Sequence, residues 1–194
     1  MAILWGQLEP ATPPLMTADE LFYDKRYQQG YELFEGRLVR MSPAGYLHGE
    51  IVQEFGRIIG NFVKPRKIGA VVAAETGFVV SKPGQTDTVL APDVAFIRAD
   101  RLPPRNSPER KKYLHLAPDL VVEVASPSEY HPEMDAKAQF WINAGMQLVW
   151  VAWPETQTVD VWQPRQTMHT LSAADMLDGY AVLPGFTQLA GDLF

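Results

Sequence analysis

Ala117–Pro154 reads APDLVVEVASPSEYHPEMDAKAQFWINAGMQLVWVAWP, and its pattern predicts the central unit of the fold. Asp119–Ala125 is a short, Val-rich apolar run, the pattern of a strand buried on both faces. A helical segment over about His131–Ala144 follows and stops at Gly145, and Gln147–Trp153 is a second apolar run. The order strand, helix, strand predicts a right-handed βαβ unit whose two strands are parallel, adjacent and central.

One acid, Glu123, lies inside the first apolar run. An ionised carboxylate in a buried strand is costly unless a cation or hydrogen-bond donors compensate it. Lys137, on the crossover helix, faces back toward the strand if that helix folds over the sheet. Glu123 is therefore the residue whose presence most needs an explanation.

The composition is that of a globular protein. The chain has 194 residues, of which 46% are hydrophobic and 21% charged, so it can bury a sizeable core. We expect a loose N-terminal arm over residues 1–16, without a signal peptide, and a single domain over residues 17–194.

Charge and cysteine content narrow the class of partners. The net charge of −6 argues against tight non-specific DNA binding, but a local basic patch and a divalent metal still allow a nuclease. Arg105–Lys112 is the one clearly basic segment. The chain has no cysteine, which fits a reducing cytoplasm, and no apolar stretch of membrane-spanning length. We therefore expect a cytoplasmic protein that has no membrane partner.

The N-terminal part of the domain predicts a short helix and a hairpin. Thr17–Glu20 is a capping box that opens a helix to about Gln29. Tyr31–Glu35 and Arg37–Met41 are two short strands around the turn at Gly36.

The middle of the chain predicts a longer helix and two strands. From Tyr46 to about Val63 apolar residues recur at helical spacing, and Pro65 ends this helix. Ala70–Ser81 is a long strand, and Val94–Ile97 is a short buried one.

The remaining segments complete the sheet. Residues 99–116 form an exposed excursion, Thr158–Gln163 alternates as a half-exposed strand, and Met168–Leu171 pairs with it. The order of elements predicts an α/β fold with a central mixed sheet flanked by helices. The hairpin and Thr158–Gln163 could extend the edges of this sheet.

Two acids carry the candidate chemistry. Asp93 opens one buried strand and Glu123 lies in another, so their carboxylates can converge on one hard divalent cation, which prefers oxygen ligands. Lys137 nearby would orient the attacking water or neutralise charge in the transition state. A structural interpretation stays open: Asp93 caps a turn, and Glu123 and Lys137 form an ion pair.

The chain resembles the Uma2 family of restriction-endonuclease-like proteins, a domain of unknown function common in cyanobacteria. The resemblance runs from Thr17 to the end of the chain, through motifs whose order and spacing are specific. These motifs are Tyr31–Gly36, Met41–Pro43 with His48, Glu75–Phe78, Ala91–Val94, Ala117–Val124 with Ser126–Ser128, Lys137, Ala144–Gly145, Val149–Val151 and Leu183–Phe186.

The resemblance implies the PD-(D/E)XK nuclease fold, with an extra N-terminal helix and hairpin, and supplies roles for the site residues. Asp93 and Glu123 match the two acids, and with the carbonyl of Val124 they would hold the metal. The lysine expected two residues after Glu123 is replaced by Ala125, and Lys137 on the following helix matches the position from which this family supplies it.

Two further residues are candidates by position. His48 matches a family motif, and Glu50 lies where nucleases of this fold often add an acid from the first core helix. For His48, capping or packing at the helix start is the alternative to a site contact. Glu32 and Glu75 are interpreted as structural strand residues.

The expected function is that of a Mg²⁺- or Mn²⁺-dependent endonuclease that hydrolyses phosphodiester bonds, with DNA as the substrate. By analogy with other proteins of this fold, we expect a homodimer. The alternative is a catalytically silent member of the fold that acts as a binding or scaffold module and uses its acids structurally.

Overall fold

The computed structural model describes residues 7–8, 15–27 and 30–194 of the chain. Within them lie the helices α1 (Ala18–Tyr23), α2 (Tyr46–Arg66) and α3 (His131–Asn143). The strands are β1 (Gln7–Leu8), β2 (Tyr31–Phe34), β3 (Arg37–Arg40), β4 (Gly69–Ala73), β5 (Phe78–Val79), β6 (Val89–Leu90), β7 (Val94–Arg98), β8 (Leu120–Val124), β9 (Leu148–Trp153), β10 (Thr158–Trp162), β11 (His169–Leu171), β12 (Met176–Asp178) and β13 (Thr187–Leu189). Short 3₁₀ turns cover Ala99–Arg101, Pro108–Lys111 and Ala190–Leu193.

The βαβ unit forms as the sequence predicts. Strands β8 and β9 are parallel neighbours at the centre of a six-stranded sheet whose order is β11-β10-β9-β8-β7-β4, and α3 connects them. All residues of both strands are buried, which is why they read as continuous apolar runs. The other neighbouring pairs are antiparallel, so the sheet is mixed and the predicted fold class is confirmed.

A helix covers each face of this central sheet. Helix α2 packs Ile51, Phe55 and Ile59 against one face, together with apolar residues of the C-terminal segment. Helix α3 packs Met134 and Trp141 against the other face. These two apolar layers enclose the sheet on both sides.

Pro65 does not end α2, contrary to the prediction from the sequence. The helix runs to Arg66 with Pro65 in its last turn, and Lys67 terminates it in the left-handed conformation, with φ of 55°. Proline lacks a backbone donor and disfavours the helical conformation of the residue before it. In α2, the packing of the helix against the central sheet outweighs this preference.

The predicted strand Ala70–Ser81 is wrong as a single element. It divides at Glu75, whose φ is 68°, into β4 in the central sheet and β5 in a second sheet of order β1-β3-β2-β6-β5. Gly77 permits the crossing, because a Cβ there would lie 2.6 Å from the ring of Tyr113. The hairpin β2–β3 forms as predicted, but it belongs to this second sheet and does not extend the central one.

Two further expectations need correction. Thr17 and Glu20 form the predicted capping box, but α1 ends at Tyr23, where Asp24 caps it, and Gln29 lies outside the described residues. The three central residues of β10 are buried, so the strand is not half-exposed: Val159 and Val161 pack in the apolar core, and Asp160 accepts hydrogen bonds from Trp153 and Thr170.

The N-terminal arm is described only in part. Gln7–Leu8 pairs with β3, and the rest of residues 1–14 lies outside the described residues. None of the helices that the structure describes is both long and apolar enough to cross a membrane.

Close contact between β4 and β7 yields a stability prediction. A Cβ on Gly69 would lie 2.1 Å from the carbonyl oxygen of Ile97, a backbone atom that cannot move aside. We expect Gly69→Ala to lower the free energy of unfolding by about 2 kcal/mol or more. Gly60→Ala in α2, where nothing lies within 4 Å, should instead raise it by up to about 1 kcal/mol. Urea unfolding of the two variants measures the difference, and equal effects would contradict this account.

Candidate active site

Sheet register places Asp93 and Glu123 side by side. Strands β7 and β8 are antiparallel, with Val94 opposite Val122. The residue before Val94, Asp93, therefore lies opposite the residue after Val122, Glu123. Residues that face each other across two strands point to the same side of a sheet. The Asp93 carboxylate also accepts a hydrogen bond from the amide of Val124, with 2.8 Å between nitrogen and Oδ2.

Helix α3 supplies the groups that compensate Glu123. The Lys137 ammonium lies 2.9 Å from Oε2 of Glu123, and the indole nitrogen of Trp141 donates to Oε1 at 2.7 Å. Lys137 and Trp141 are four residues apart and therefore share one helix face, the face that packs on the sheet. Glu123 is 2% exposed and Lys137 5%, so this is a buried ion pair.

Burial and neighbouring charges shift both pKa values. Burial raises the pKa of Glu123 to about 7, an effect that Lys137 opposes and the negative charge of Asp93 reinforces. Burial alone would lower the pKa of Lys137, but the negative charges of Glu123, Glu32 and Asp93 outweigh it and raise this pKa above its ordinary value. The lysine therefore stays cationic, whereas Glu123 holds a proton more readily than an exposed glutamate does.

Glu32 is a member of the site that the sequence interpretation missed. It projects from β2 and is 2% exposed, and its Oε1 accepts from the amide of Ala91 at 2.7 Å. Its Oε2 is buried and has no hydrogen-bond partner in the structure. Burial raises the pKa of Glu32, and Asp93 raises it further, whereas Lys137 and the Ala91 hydrogen bond lower it. An acid inside a buried strand was the signal that identified Glu123, and it applies to Glu32 as well.

His48, in the first turn of α2, contacts the site from the opposite side. Its Nε2 lies 3.3 Å from Oδ2 of Asp93. This hydrogen bond raises the pKa of His48, although its partial burial works in the opposite direction. Of the alternatives for His48, the geometry therefore favours the site contact.

Glu50 lies apart from these residues. It is exposed and lines a different cleft, next to Asp192 and Phe194 of the C-terminal segment. Residues two apart on an α-helix point to nearly opposite sides, so Glu50 and His48 cannot both face Asp93.

The site opens to solvent through a cleft of about 400 Å³. Glu32, His48 and Asp93 line it, as do Glu75 and Tyr113. Glu123 and Lys137 lie behind this lining and are buried. A ligand that enters the cleft therefore meets an acidic wall with one buried cation behind it.

A second group of side chains in the described residues could hold a metal ion. The ligand atoms of His131, Asp135 and Asp160 lie within 4.8 Å of one another. Asp160 is buried and accepts hydrogen bonds from Trp153 at 2.7 Å and from Thr170 at 2.5 Å. This group joins α3 to β10 and includes none of the residues around Asp93.

The fold is that of a known nuclease-like structure. The chain is similar to the crystal structure of a "putative nuclease belonging to DUF820" from Anabaena variabilis ATCC 29413, determined at 1.96 Å resolution. The TM-score is 0.77 and the identity 21%, over 92% of this chain and 97% of that one. At this identity the likeness shows the fold alone. No curated protein matches the chain.

The sequence also matches a protein family. Residues 20–191 match Uma2, which is described as "Putative restriction endonuclease". The chain belongs to the Uma2 family, which confirms the resemblance seen in its motifs. Family and fold together indicate a restriction-endonuclease-like nuclease, a class that uses divalent metal and acts on nucleic acid.

The raised pKa of Glu123 predicts how stability depends on pH. Between pH 4.5 and about 7 the folded protein keeps a proton that the unfolded chain has released, so the free energy of unfolding falls as the pH rises. One such group contributes at most about 1.4 kcal/mol per pH unit. Glu123→Gln should reduce this slope in urea unfolding, although not abolish it, because the pKa values of Glu32 and His48 are also raised.

Glu54→Gln is the matched control for this measurement. A hydrogen bond from Arg57 lowers the pKa of Glu54, so its removal cannot reduce a loss of stability with rising pH. An unchanged slope in Glu123→Gln would contradict the assignment of this titration to Glu123.

Proposed function

We propose that this protein is a metal-dependent endonuclease that hydrolyses phosphodiester bonds in DNA with Mg²⁺ or Mn²⁺. The observation that carries the proposal is the convergence of Asp93, Glu123 and Glu32 beside Lys137, with one buried carboxylate oxygen, Oε2 of Glu32, left without a partner. A buried carboxylate oxygen without a donor is costly unless a cation or a proton satisfies it.

The residues present fit a hard divalent cation. Three carboxylates face one lysine and one histidine, so an ionised site carries excess negative charge, and oxygen is the ligand that Mg²⁺ and Mn²⁺ prefer. Asp93, Glu123 and Glu32 would hold the ion, together with the carbonyl of Val124. A cation bound there would supply Lewis-acid polarisation of a phosphate and a water molecule.

The chain's own residues then have distinct tasks. Lys137 holds a permanent positive charge next to Glu123, where it orients the attacking water or stabilises the negative charge of the transition state. His48 fixes the orientation of the Asp93 carboxylate through their 3.3 Å contact. Glu75 and Tyr113 also line the cleft, and Tyr113 directly follows the basic run Arg105–Lys112. Lys112 is paired with Asp19 at 2.9 Å, and the other basic residues of this run would contact the phosphate backbone.

The proposed enzyme is a homodimer in the cytoplasm. Cutting both strands of a duplex requires two sites, so we propose a homodimer. A chain without cysteine gains nothing from an oxidising compartment, and we place the activity in the cytoplasm.

One observation favours a different function, that of a catalytically silent scaffold. Both oxygens of Glu123 already accept hydrogen bonds, from Lys137 and from Trp141, as a purely structural ion pair would require. The unpartnered oxygen of Glu32 and the acidic lining of the cleft remain unexplained in that interpretation. We therefore favour the nuclease.

Substitution of the acids and the lysine should separate their roles. We expect Asp93→Asn and Glu123→Gln to reduce cleavage of plasmid and oligonucleotide DNA to background without loss of the fold in circular dichroism. Lys137→Ala should slow cleavage about 100- to 1,000-fold, because one group that stabilises transition-state charge is lost. Lys137→Ala should keep much of the metal affinity, because lysine is not a ligand. Mg²⁺ and Mn²⁺ should support cutting, and Ca²⁺ should bind without supporting it.

Glu50→Gln is the control variant and should cut like the wild type. Cleavage that persists in Glu123→Gln, or that ignores a chelator, would refute this mechanism. An absence of cleavage on every nucleic acid tested, with no stabilisation by metal, would instead establish the scaffold.

The role of Glu32 is tested by metal binding and not by activity. We expect Mn²⁺ to bind Glu32→Gln at least about 10-fold more weakly than the wild type in isothermal titration calorimetry, because one anionic ligand becomes neutral. Glu35→Gln makes the same chemical change on the same hairpin at an exposed position, so it should bind Mn²⁺ normally. Equal affinity in the two variants would remove Glu32 from the metal site.

A further inference from the structure

A second pocket lies directly beside the proposed active site. It has a volume of about 410 Å³ and is formed where the start of α2 approaches the segment between β8 and α3. We call it the tyrosine pocket, and its defining residues are Tyr46, Leu47, His48, Tyr130, His131 and Trp153. None of the tasks assigned above to the active-site residues uses this pocket.

The tyrosine pocket collects exposed apolar side chains. Tyr46 is 85% exposed, Tyr130 68% and Leu47 52%. They are three of the seven large hydrophobic residues that the described part of the chain exposes. Single exposed apolar residues are ordinary, but a group of them around one concavity marks a binding surface.

The pocket is continuous with the proposed active site through His48. This side chain lines both the tyrosine pocket and the cleft that contains Asp93 and Glu32. Ala125 and Ser126, which also line the pocket, follow the strand that carries Glu123. A molecule in the tyrosine pocket would therefore lie next to a phosphate that is bound at Asp93.

Charge and ring geometry identify what the pocket can hold. Its lining contains Glu129 and Glu155 and no lysine or arginine, which disfavours a phosphate group. Trp153 is stacked on His131, with their ring centroids 3.7 Å apart and an interplanar angle of 27°, so the wall of the pocket is aromatic. Aromatic walls that carry no lysine or arginine suit a flat ring without negative charge.

We propose that the tyrosine pocket binds an unpaired nucleobase of the strand that is cut, so that the substrate is single-stranded or locally unpaired DNA. This inference rests on the proposed nuclease function. A base inside a duplex is stacked and paired and cannot enter a pocket, whereas the bases of a single strand are free to stack on aromatic side chains.

The experiment measures binding separately from cleavage. Fluorescence anisotropy of a labelled single-stranded oligonucleotide and of its duplex is recorded with the wild type in Ca²⁺ and again in a chelator. We expect the single strand to bind more tightly than the duplex. Tyr130→Ala and Tyr46→Ala should each weaken single-strand binding by about 5- to 150-fold, the effect of losing one base–aromatic stack. Tyr130→Phe, which keeps the ring, should bind like the wild type.

Met176→Ala is the control variant. Met176 is 53% exposed, similar to Leu47, but it does not line the tyrosine pocket. An equal effect of Tyr130→Ala and Met176→Ala, or equal affinity of the wild type for single strand and duplex, would overturn the inference. So would variants that change the sedimentation of the protein but not its oligonucleotide affinity, because the pocket would then lie between two copies of the chain.

The outcomes also separate this inference from the proposed function. Loss of single-strand binding in the tyrosine variants, without metal-dependent cleavage of any substrate, would support the pocket and refute the nuclease. Metal-dependent cleavage with no effect of the tyrosine variants on binding would refute the pocket alone.

Discussion

The carboxylate of Glu123 imposes the main constraint on this structure. It lies within a strand that is buried on both faces, where an uncompensated charge is costly, so α3 must bring Lys137 and Trp141 to its two oxygens. Because those two residues are one helical turn apart, the rotation of α3 about its axis is fixed by the ion pair as much as by apolar packing. The orientation of α3 and the composition of the polar site thus both follow from the need to compensate the carboxylate of Glu123.

The second sheet adds another carboxylate, Glu32 on β2, to the site around Glu123. Lys137 balances one carboxylate, yet Glu32 reaches the site from β2 and Asp93 from the start of β7, so negative charge remains in excess. A protein that needed only structural stability would be better served by an apolar residue at Glu32, because its Oε2 is buried without a partner. The free-energy cost of burying Oε2 of Glu32 without a partner is explained if the hairpin β2–β3 completes a cation site rather than only covering the sheet.

The sequence predicted what depends on local pattern and missed what depends on long-range pairing. The βαβ unit was predictable because two apolar runs and a helical segment lie consecutively in one stretch of about 38 residues, Ala117–Pro154. The division at Glu75 was not, because a left-handed residue other than glycine or asparagine has no reliable signal in a single sequence. Glu32 was interpreted as structural because, although it is an acid in a predicted strand like Glu123, a four-residue strand lacks the continuous apolar run that predicts burial on both faces. Glu50 was named as a candidate for the site because the sequence predicts helix α2 but not how this helix is rotated about its axis.

The position of Lys137 on a helix, and not on the strand two residues after Glu123, changes what the geometry of the site depends on. A lysine on the strand would be held by the hydrogen bonds of the sheet itself. Lys137 is held by the packing of Met134, Ala138 and Trp141 against the central sheet, so its ammonium moves with α3. A cavity made by shortening Met134 lies one turn from Lys137 and could shift the helix without touching any acid. In this chain, the core under α3 therefore bears on the geometry of the site as directly as the charged residues do.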